Sequence, residues 1–373
     1  MKIVIAGGGV AAFEAAVAAR KSAPESEITV LSREAVPPYR RPALSGMVAQ
    51  DLDDARFLLK SAEFFASERI ELKLGVEVLA LDPAKRTLTC ADGETRSFDR
   101  LVIATGAGAF VPPVPGLAGD KVAVLREYAD LQRFRARLDA GIKKATVLGG
   151  GVLGLELAAS LLARGVAVTV VENFPGIMPR NLDPEAGKLV FDKLSAVPNL
   201  TLKFGVSALE ASDGALKLSD GTTVESDLIC VSAGVRANTR LALDAGLPCN
   251  RGIVVDDRLR VLGFEGIYAA GDVAEFAGRG CGLFGTAKKM GNIAGVNAAG
   301  GDAVYAPENV PVRAVLFGMK IFSAGSIADL RGEGGGTVEN YRKLFYDASG
   351  VLRGAVLLGD LSQALKLQSE IVS

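Results

Sequence analysis

Apolar and polar residues follow one another along this chain in a way that predicts strands leading into helices. The first segment, Lys2–Ala6, is a short apolar run rich in Ile and Val, and Gly7-Gly8-Gly9 ends it. Val10–Arg20 then has the composition of an Ala-rich helix without Gly or Pro. The first twenty residues therefore predict a strand, a tight turn and a helix.

The same arrangement recurs in the middle of the chain. A short strand, Thr146–Leu148, meets a second triple glycine, and a helix is predicted from Val152. In a dinucleotide fingerprint the first glycine permits a sharp turn and the second leaves room for a pyrophosphate, while a small third residue lets helix and strand pack closely. The positions are filled by Gly7, Gly9 and Ala12 in the first copy and by Gly149, Gly151 and Gly154 in the second. Since each helix N-terminus favours phosphate, we expect two bound dinucleotides.

The strand after each fingerprint is predicted to carry an acid for the nucleotide ribose. Val168–Glu172 ends in Glu172, about twenty residues after the glycines, as the fingerprint requires. A carboxylate there accepts hydrogen bonds from a ribose 2′-OH and repels a 2′-phosphate, so NADH is expected over NADPH. In the first copy Glu27–Leu31 is followed by Ser32 and Arg33, and the acid, Glu34, comes late. For both acids, a solvated residue without a ligand remains the alternative.

Three further buried strands end in small residues, and the rest of the chain divides between helices and short strands. The strand ends are Ala104-Thr105-Gly106, Ser232-Ala233-Gly234 and Ala270-Gly271-Asp272. The helices are predicted at Phe57–Ile70, at Tyr128–Leu138, within 191–218 ahead of a hairpin, at Ala287–Ala299 and at Ser362–Ile371. The other strands are predicted at Glu71–Leu81, Arg86–Cys90, Val312–Phe317, Lys320–Ala324, Arg342–Tyr346 and Gly354–Leu358, with a flexible turn at Gly332–Gly336.

These elements predict an α/β protein with two Rossmann-like, three-layer dinucleotide-binding domains and a small C-terminal α+β domain. We expect a discontinuous first domain of residues 1–110 and 236–308, a second domain of 111–235, and an appended domain of 309–373. The Pro-rich stretch at 112–116 marks the crossing into the second domain.

Composition removes several classes of function. The 373 residues carry a net charge of −1 without charge blocks, which gives no field for nucleic acid or an anionic membrane. The chain has no histidine, so His-based catalysis is excluded, and four cysteines without a close pair argue against a disulfide framework or a metal site. Cys230 and Cys281 are interpreted as small apolar residues. We expect a soluble, cytoplasmic protein that binds neither nucleic acid nor membrane.

Taken in order, these motifs resemble the two-dinucleotide flavoprotein fold of the pyridine-nucleotide–disulfide oxidoreductases. The resemblance covers almost the whole chain and rests on the two fingerprints, on Ala104-Thr105-Gly106, on Ala233-Gly234 and on Ala270-Gly271-Asp272. It implies FAD at the first fingerprint and NAD(P)H at the second, where Glu172 favours NADH. It further implies that Asp272 contacts the ribityl–phosphate end of FAD, that Glu156 faces the nicotinamide and that Arg126 lies near the FAD phosphates.

Within that family, the segment PYRRPALS at 38–45 looks like that of the rubredoxin and ferredoxin reductases, and YRKLFYD at 341–347 is most like the NADH:rubredoxin reductase branch. The resemblance implies an NADH dehydrogenase that passes a hydride to FAD and electrons to a small redox protein, rubredoxin- or ferredoxin-like. A peroxide-forming NADH oxidase and a non-catalytic FAD- and NADH-binding sensor remain alternatives, as do a monomer and a homodimer.

The site residues expected on this basis fall into two groups, besides Glu156 as the catalytic residue. The FAD group comprises Gly7, Gly9, Val10, Ala11, Ala12, Ser32, Arg33, Glu34, Arg41, Pro42, Glu77, Val78, Ala104, Thr105, Gly106, Arg126, Gly271, Asp272, Phe284 and Thr286. The NADH group comprises Gly149, Gly151, Val152, Leu153, Gly154, Glu172 and Gly234.

The chain also departs from the family pattern. It has neither the redox-active cysteine pair nor the C-terminal histidine of the disulfide reductases, which argues against thiol–disulfide chemistry. The peroxide- and coenzyme-A-disulfide-reducing relatives have a single cysteine near position 45, where this chain has Ser45 instead. Gly46 stands where ferredoxin reductases have a lysine, so Glu156 is expected to lack its usual partner.

Overall fold

A computed structural model describes residues 1–50, 53–307 and 310–371. Up to residue 109 the elements are β1 (Lys2–Ala6), α1 (Val10–Ser22), β2 (Glu27–Ser32), α2 (Leu44–Met47), α3 (Asp54–Phe57), α4 (Ala62–Ser67), β3 (Ile70–Leu74), β4 (Val78–Asp82), β5 (Thr87–Cys90), β6 (Thr95–Ser97), β7 (Arg100–Ile103) and β8 (Ala107–Ala109). Single 3-10 turns precede α2 at Arg41–Ala43 and occur again at Gly271–Val273.

The middle of the chain repeats this order. Its elements are β9 (Val122–Val124), α5 (Tyr128–Asp139), β10 (Lys144–Leu148), α6 (Val152–Ala163), β11 (Ala167–Glu172), α7 (Pro184–Ser195), β12 (Leu200–Phe204), β13 (Ala208–Ser212), β14 (Ala215–Leu218), β15 (Thr223–Glu225) and β16 (Leu228–Val231).

The remaining elements return to the first half and then form the C-terminal sheet. They are β17 (Val235–Ala237), α8 (Arg240–Asp244), β18 (Ile253–Val255), β19 (Ile267–Ala269), β20 (Ala274–Phe276), β21 (Arg279–Gly280), α9 (Phe284–Ala298), β22 (Val312–Leu316), β23 (Met319–Gly325), β24 (Arg331–Gly335), β25 (Asn340–Tyr346), β26 (Leu352–Gly359) and α10 (Ala364–Glu370). Among the described residues, no helix combines the length and apolarity needed to cross a bilayer.

Two parallel five-stranded sheets form the centres of the two nucleotide-binding units. Their strand orders are β3-β2-β1-β7-β19 and β12-β11-β10-β16-β9, and every neighbouring pair is parallel. In both sheets the strand before the glycine turn is central, and the strand after the helix lies beside it. The prediction of an α/β fold with two such units and a small C-terminal part is confirmed.

The last strand of the first sheet comes from far along the chain. β19 pairs with β7, with Ile267 opposite Leu101, after the whole second unit has been formed. β8 and β17 connect the units as an antiparallel pair, with Ala109 opposite Val235. A discontinuous first domain requires this return of the chain to the first sheet. The boundaries at residues 110, 236 and 308 stay predictions.

In the first unit, α1 packs on α9 at very short range. A Cβ at Gly291 would lie 2.3 Å from the carbonyl oxygen of Ala11, and one at Gly295 would lie 2.2 Å from that of Ala15. Because only glycine permits this approach, the two helix backbones are in contact. This contact fixes α9, whose first residues were expected at the flavin, relative to the first glycine turn.

A stretch of the first unit packs into the core of the second. We call residues 39–50 the crossing segment; it contains the buried side chains of Tyr39, Leu44, Met47 and Val48. These belong to the same apolar core as residues of α6 such as Leu155. The Met47 carbonyl also accepts a hydrogen bond from Arg135 Nε of α5 at 3.0 Å. The crossing segment, which includes α2, is therefore packed against the second unit.

The C-terminal sheet is antiparallel, with the strand order β22-β23-β26-β25-β24. Leu316, Ile321 and Tyr341 on one face join the core of the second unit. The Tyr341 hydroxyl is buried against α7, where it donates to Asp183 Oδ1 at 2.9 Å. The sheet is thus anchored on the second unit.

Two neighbouring predicted elements, between residues 57 and 81, are wrong. Phe57–Ile70 is not one helix: α3 ends at Phe57, α4 spans Ala62–Ser67, and Ile70 already belongs to β3, opposite Ile28. Arg69 has a φ of 55°, which ends the helical turn. Pairing in the parallel sheet outweighs the helical pattern here. The predicted strand Glu71–Leu81 is likewise divided into β3 and β4, at Gly75 with a φ of 71°.

The glycine-rich stretch at 332–336 is not a turn either. It forms most of β24, with Gly332 opposite Phe345 and Gly334 opposite Lys343. A Cβ at Gly332 would lie 2.8 Å from Lys343 Cε, so the lysine side chain lies across the glycine. The helix expected within 191–218 begins earlier, at Pro184, because Asp183 caps it.

Candidate active site

The first glycine turn requires glycine at its first position. Gly7 has a φ of 139°, and a Cβ there would lie 2.1 Å from the Ala104 carbonyl oxygen. Gly9 is the N-cap of α1, and a Cβ on Gly9 would meet nothing within 4 Å. Gly7 therefore shapes the turn, whereas Gly9 borders open space where a diphosphate has room.

The second turn has the same geometry. Gly149 has a φ of 118°, and its Cβ would lie 2.4 Å from the Ser232 carbonyl oxygen. Gly151 caps α6 and also borders open space. A Cβ at Gly154 would lie 2.0 Å from the Gly149 carbonyl oxygen, so this third position packs helix on strand. Ala12 fills the equivalent place in the first unit and is fully buried.

Neither glycine-turn helix is capped by a side chain. The N-termini of α1 and α6 have no side-chain cap and no acid in the first turn. By contrast, a capping box of Glu127 and Asp130 closes the N-terminus of α5, and Asp183 caps α7; both helices are of similar length. The first N–H groups of α1 and α6 are therefore available to an anion. Four predicted contact residues lie at these N-termini: Val10 and Ala11 on α1, with Ala11 buried, and Val152 and Leu153 on α6, with Leu153 exposed.

Glu172 lies at the end of β11 beside the second turn, as expected. Its Oε2 accepts from the Gly150 backbone N–H at 2.8 Å, and its Oε1 accepts from that of Phe174 at 3.0 Å. Two backbone donors therefore fix the carboxylate while it remains half-exposed. A fixed negative charge at this point suits a ribose diol and disfavours a phosphate.

Glu34 lies in a different environment. Its Oε1 accepts from Arg41, and its Oε2 accepts from the Tyr39 hydroxyl at 2.6 Å and from the Tyr128 backbone N–H at 3.2 Å. Burial is the largest cause that raises the pKa of Tyr39. Both carboxylate oxygens thus have protein partners, and a ribose contact by Glu34 stays a prediction. Sequence reasoning missed Tyr39 and Tyr128 as its partners.

The other predicted FAD residues at this end of the first unit surround that cluster. Arg33 pairs with Glu127 and lies 3.7 Å from Glu77 Oε1. Ser32 is buried, and its hydroxyl donates to the Glu34 carbonyl at 3.1 Å. Pro42 is exposed beside Arg41, and Val78, at the start of β4, is half-buried. The structure brings Glu34 and Arg41 into contact and places Arg33 against Glu77 and Glu127.

Arg126 and Asp272 form an ion pair between the two halves of the chain. Arg126 Nη2 lies 2.7 Å from Asp272 Oδ2, and its Nε donates to the Ala107 carbonyl at 2.9 Å. Gly271 precedes the aspartate with a φ of 76°, and its Cβ would lie 2.9 Å from that of Ala11. Asp272, and through it Arg126, therefore lies close to the N-terminus of α1.

The strand ends complete the two turns. Ala104 is buried, and Gly106 and Gly234 both have positive φ angles. Thr105 exchanges hydrogen bonds with Asn238, whose side-chain amide donates to the Thr105 carbonyl at 2.8 Å. Asn238 was not predicted, since nothing in its local sequence marks it.

Phe284 and Thr286 lie in the first turn of α9 and are half-buried. Nearby, burial and the Asp272 charge raise the pKa of Cys281 to about 11, so its thiol stays protonated at neutral pH. Burial likewise raises the pKa of Cys230. All four cysteines are unpaired, and the described residues contain no cluster suited to a metal ion.

Glu156 has a partner other than the lysine of the family pattern, whose position Gly46 occupies. The Ser45 hydroxyl of α2 donates to Glu156 Oε2 at 2.8 Å, across the contact between α2 and α6. Burial raises the pKa of Glu156, and the Ser45 hydrogen bond lowers it in part. The family pattern indicates position 46 as the source of the partner, whereas the residue before it, Ser45, makes the contact.

The two turns and the residues around them fit a dinucleotide at each helix N-terminus. The glycines leave room for the diphosphates, and the uncapped N–H groups can bind them. With Glu156 between the two units, this arrangement defines a two-dinucleotide oxidoreductase of the flavoprotein type.

The family follows from sequence comparison. Residues 1–302 match the pyridine nucleotide-disulphide oxidoreductase family, and the chain belongs to it. The family is FAD- and NAD(H)-dependent. The resemblance inferred from the motifs is thereby confirmed.

Similar proteins include reductases of several kinds. The chain is 30% identical to nitrite reductase [NAD(P)H] of Bacillus subtilis (strain 168) over 99% of its own length but only 47% of that protein. It is 29% identical to NADH-rubredoxin oxidoreductase of Clostridium acetobutylicum, covering 100% of this chain and 94% of that one. A crystal structure of a ferredoxin reductase from Rhodopseudomonas palustris matches with a TM-score of 0.90 and 28% identity, over 100% of this chain and 96% of that one. The chain thus spans about half of the first relative and nearly all of the other two.

Proposed function

We propose that the protein is an FAD-dependent NADH dehydrogenase that delivers electrons to a small redox protein of the rubredoxin or ferredoxin kind. Bound FAD supplies the chemistry, since a flavin accepts a hydride and releases electrons singly. The residues of the chain bind and orient the two nucleotides. Relatives named as rubredoxin and ferredoxin reductases support this choice of acceptor.

The observation that carries the proposal is the pair of uncapped glycine-turn helices in one chain. The N–H groups of α1 would hold the FAD diphosphate, and those of α6 would hold the diphosphate of NADH. Arg33, Arg41 and Arg126 lie around the first site, each in an ion pair with a carboxylate of the chain. Glu172 gives the second site its preference for NADH over NADPH.

The remaining residues fit a reaction without protein nucleophiles. The sequence has no histidine, and the Cys230 and Cys281 thiols have raised pKa values. Hydride transfer between two bound rings needs orientation instead, which Glu156 and the second glycine turn would provide. We also propose a cytoplasmic location, which the four unpaired cysteines support.

An anaerobic titration tests this function. Purified protein is expected to be yellow, and about one equivalent of NADH should bleach it. About two equivalents of oxidised rubredoxin or ferredoxin, each accepting one electron, should restore the flavin colour at once. A protein that takes up no FAD would contradict the proposal. Faster turnover with air alone than with either carrier would favour the peroxide-forming NADH oxidase, and slow bleaching despite tight NADH binding would favour the sensor.

A further inference from the structure

Glu156 is an isolated acidic group at the contact between the two nucleotide-binding units. It lies on the second turn of α6, half-buried, and its pKa is affected by burial and by Ser45 alone. The elements packed against α6 carry few charges: Lys144 on β10, Glu172 on β11 and Arg313 on β22. None of these shifts the pKa of Glu156.

The charged side chains around the crossing segment are directed to other partners. Arg41 pairs with Glu34, Arg135 donates to the Met47 carbonyl, and Arg164 Nη1 lies 3.4 Å from the Val48 carbonyl oxygen. α2 itself has no titratable residue. The neutral hydroxyl of Ser45 is therefore the partner that the fold gives to Glu156.

Ser45 is well placed to serve as a permanent partner. Its side chain is 6% exposed, between the buried Leu44 and Met47. Its oxygen lies 2.8 Å from Glu156 Oε2 and 3.3 Å from the Pro42 carbonyl oxygen. A hydroxyl has one hydrogen and two acceptor lone pairs, so it can donate to only one of these two oxygens at a time.

These distances allow two arrangements. When Glu156 is ionised, the Ser45 hydroxyl donates to the carboxylate. When Glu156 is protonated, its O–H donates to the Ser45 oxygen, and the Ser45 hydrogen turns to the Pro42 carbonyl. The Ser45 hydroxyl and Glu156 Oε2 therefore remain hydrogen-bonded to each other in both states, which an ammonium group could not achieve because it has no acceptor.

We propose that Ser45 is the positioning residue of Glu156, and that the Glu156–Ser45–Pro42 chain of hydrogen bonds lets the Glu156 carboxyl hold or release one proton without breaking its contact to α2. This inference rests on the proposed function, in which Glu156 faces the nicotinamide. The overall reaction there is NADH plus two oxidised one-electron carriers giving NAD⁺, H⁺ and two reduced carriers. One proton must therefore leave for each NADH, and Oε2 of Glu156 is an atom that can hold it.

The test is a titration of the Glu156 carboxyl in the oxidised, FAD-loaded protein without NADH. Infrared difference spectra against Glu156→Gln identify its carboxyl band. Since a hydrogen bond to a charged group favours the charged form, Ser45→Ala should strengthen proton binding by about tenfold, a rise of about one pKa unit. Ser45→Thr keeps the hydroxyl and should titrate like the unchanged protein.

Ser160→Ala is the matched control, because Ser160 lies on α6 with Glu156 and is 8% exposed, close to the 6% of Ser45. It should leave the carboxyl titration unchanged. An unshifted titration in Ser45→Ala overturns the proposal, and so does an equal shift in Ser160→Ala or in Ser45→Thr.

A second readout is the pH profile of the anaerobic bleaching rate with NADH. Its inflection should move to higher pH in Ser45→Ala and disappear in Glu156→Gln, with the KM for NADH unchanged. A raised KM with an unmoved inflection would show a merely structural role and overturn the proposal. Protein that does not bleach at all defeats the proposed function, while the infrared titration still decides the role of Ser45.

Discussion

The two nucleotide-binding units have the same topology but differ in the hydrogen bonds that hold the acid at or just after the end of the second strand, Glu34 in the first unit and Glu172 in the second. Their sheets have equivalent strand orders, and both glycine turns lead into an uncapped helix. In the second unit, backbone N–H groups fix Glu172, which stays half-exposed. In the first unit, an arginine and a tyrosine hold Glu34. The glycine turn expected to bind phosphate is thus the same in both units, whereas the surroundings of the acid expected at the ribose differ.

The largest expected effect comes from breaking one turn at a time. Gly7→Ala places a Cβ against the Ala104 carbonyl at a positive φ, which should cost about 3 kcal/mol and about a hundredfold or more in FAD affinity. Gly149→Ala should abolish NADH bleaching while the protein stays yellow. Flavin absorbance and NADH titration measure the two losses. Gly75→Ala, with a positive φ but open space around it, is the control and should keep both functions. Loss of flavin in Gly149→Ala would contradict the independence of the turns.

A smaller effect separates the two acids. Like charges about 4 Å apart cost about 4 kcal/mol at an effective dielectric of 20. Glu172→Gln should therefore lower the ratio of kcat/KM for NADH to that for NADPH by about tenfold or more. Glu34→Gln should leave this ratio unchanged, because Glu34 belongs to the first unit. Steady-state kinetics with both coenzymes decide between these outcomes, and an unchanged ratio in Glu172→Gln would remove its assigned role.

Glu156 of the second unit is hydrogen-bonded to Ser45 of the first. Its partly buried carboxyl should make the stability of the folded protein depend on pH. Burial raises its pKa in the folded protein above the value in the unfolded chain. Between these two values the folded state binds more protons, so this group lowers stability as the pH rises. Glu156→Gln should thus raise the Tm relative to the unchanged protein at pH 7 more than at pH 4. Calorimetry at both pH values measures the difference, and an equal change at both would contradict the raised pKa.

The smallest effect concerns the C-terminal sheet, which is anchored on the second unit. Tyr341→Phe removes the hydrogen bonds to Asp183 and Glu185, while Lys343 still lies 3.2 Å and 3.0 Å from the same two carboxylates. The expected cost is about 1 kcal/mol of unfolding free energy. Urea unfolding measures it, with Tyr346→Phe on the same strand as control. Equal losses in both variants would show that the Asp183 contact is not special.

Sequence reasoning succeeded where the chemistry is local. The two turns, their helices and the strand-end Glu172 follow from residues close together in the chain, because glycine, strand and helix signals act over a few positions. It failed where tertiary packing decides. Ile70 joins the sheet because Ile28 lies beside it, and Gly332 is in a strand because β25 pairs with it. The Ser45–Glu156 contact joins positions 111 residues apart, and no local pattern announces it.

The crossing segment limits how far the two units can be treated as interchangeable cassettes. Tyr39, Leu44, Met47 and Val48 precede the second glycine turn by about a hundred positions in the sequence, yet they fill its core. A chimera that exchanged only residues 111–235 with a relative would bring in a helix α6 shaped for other side chains. Such a graft would need residues 39–50 to travel with it. Natural recombination at that border would meet the same constraint, so these two stretches are expected to have changed together.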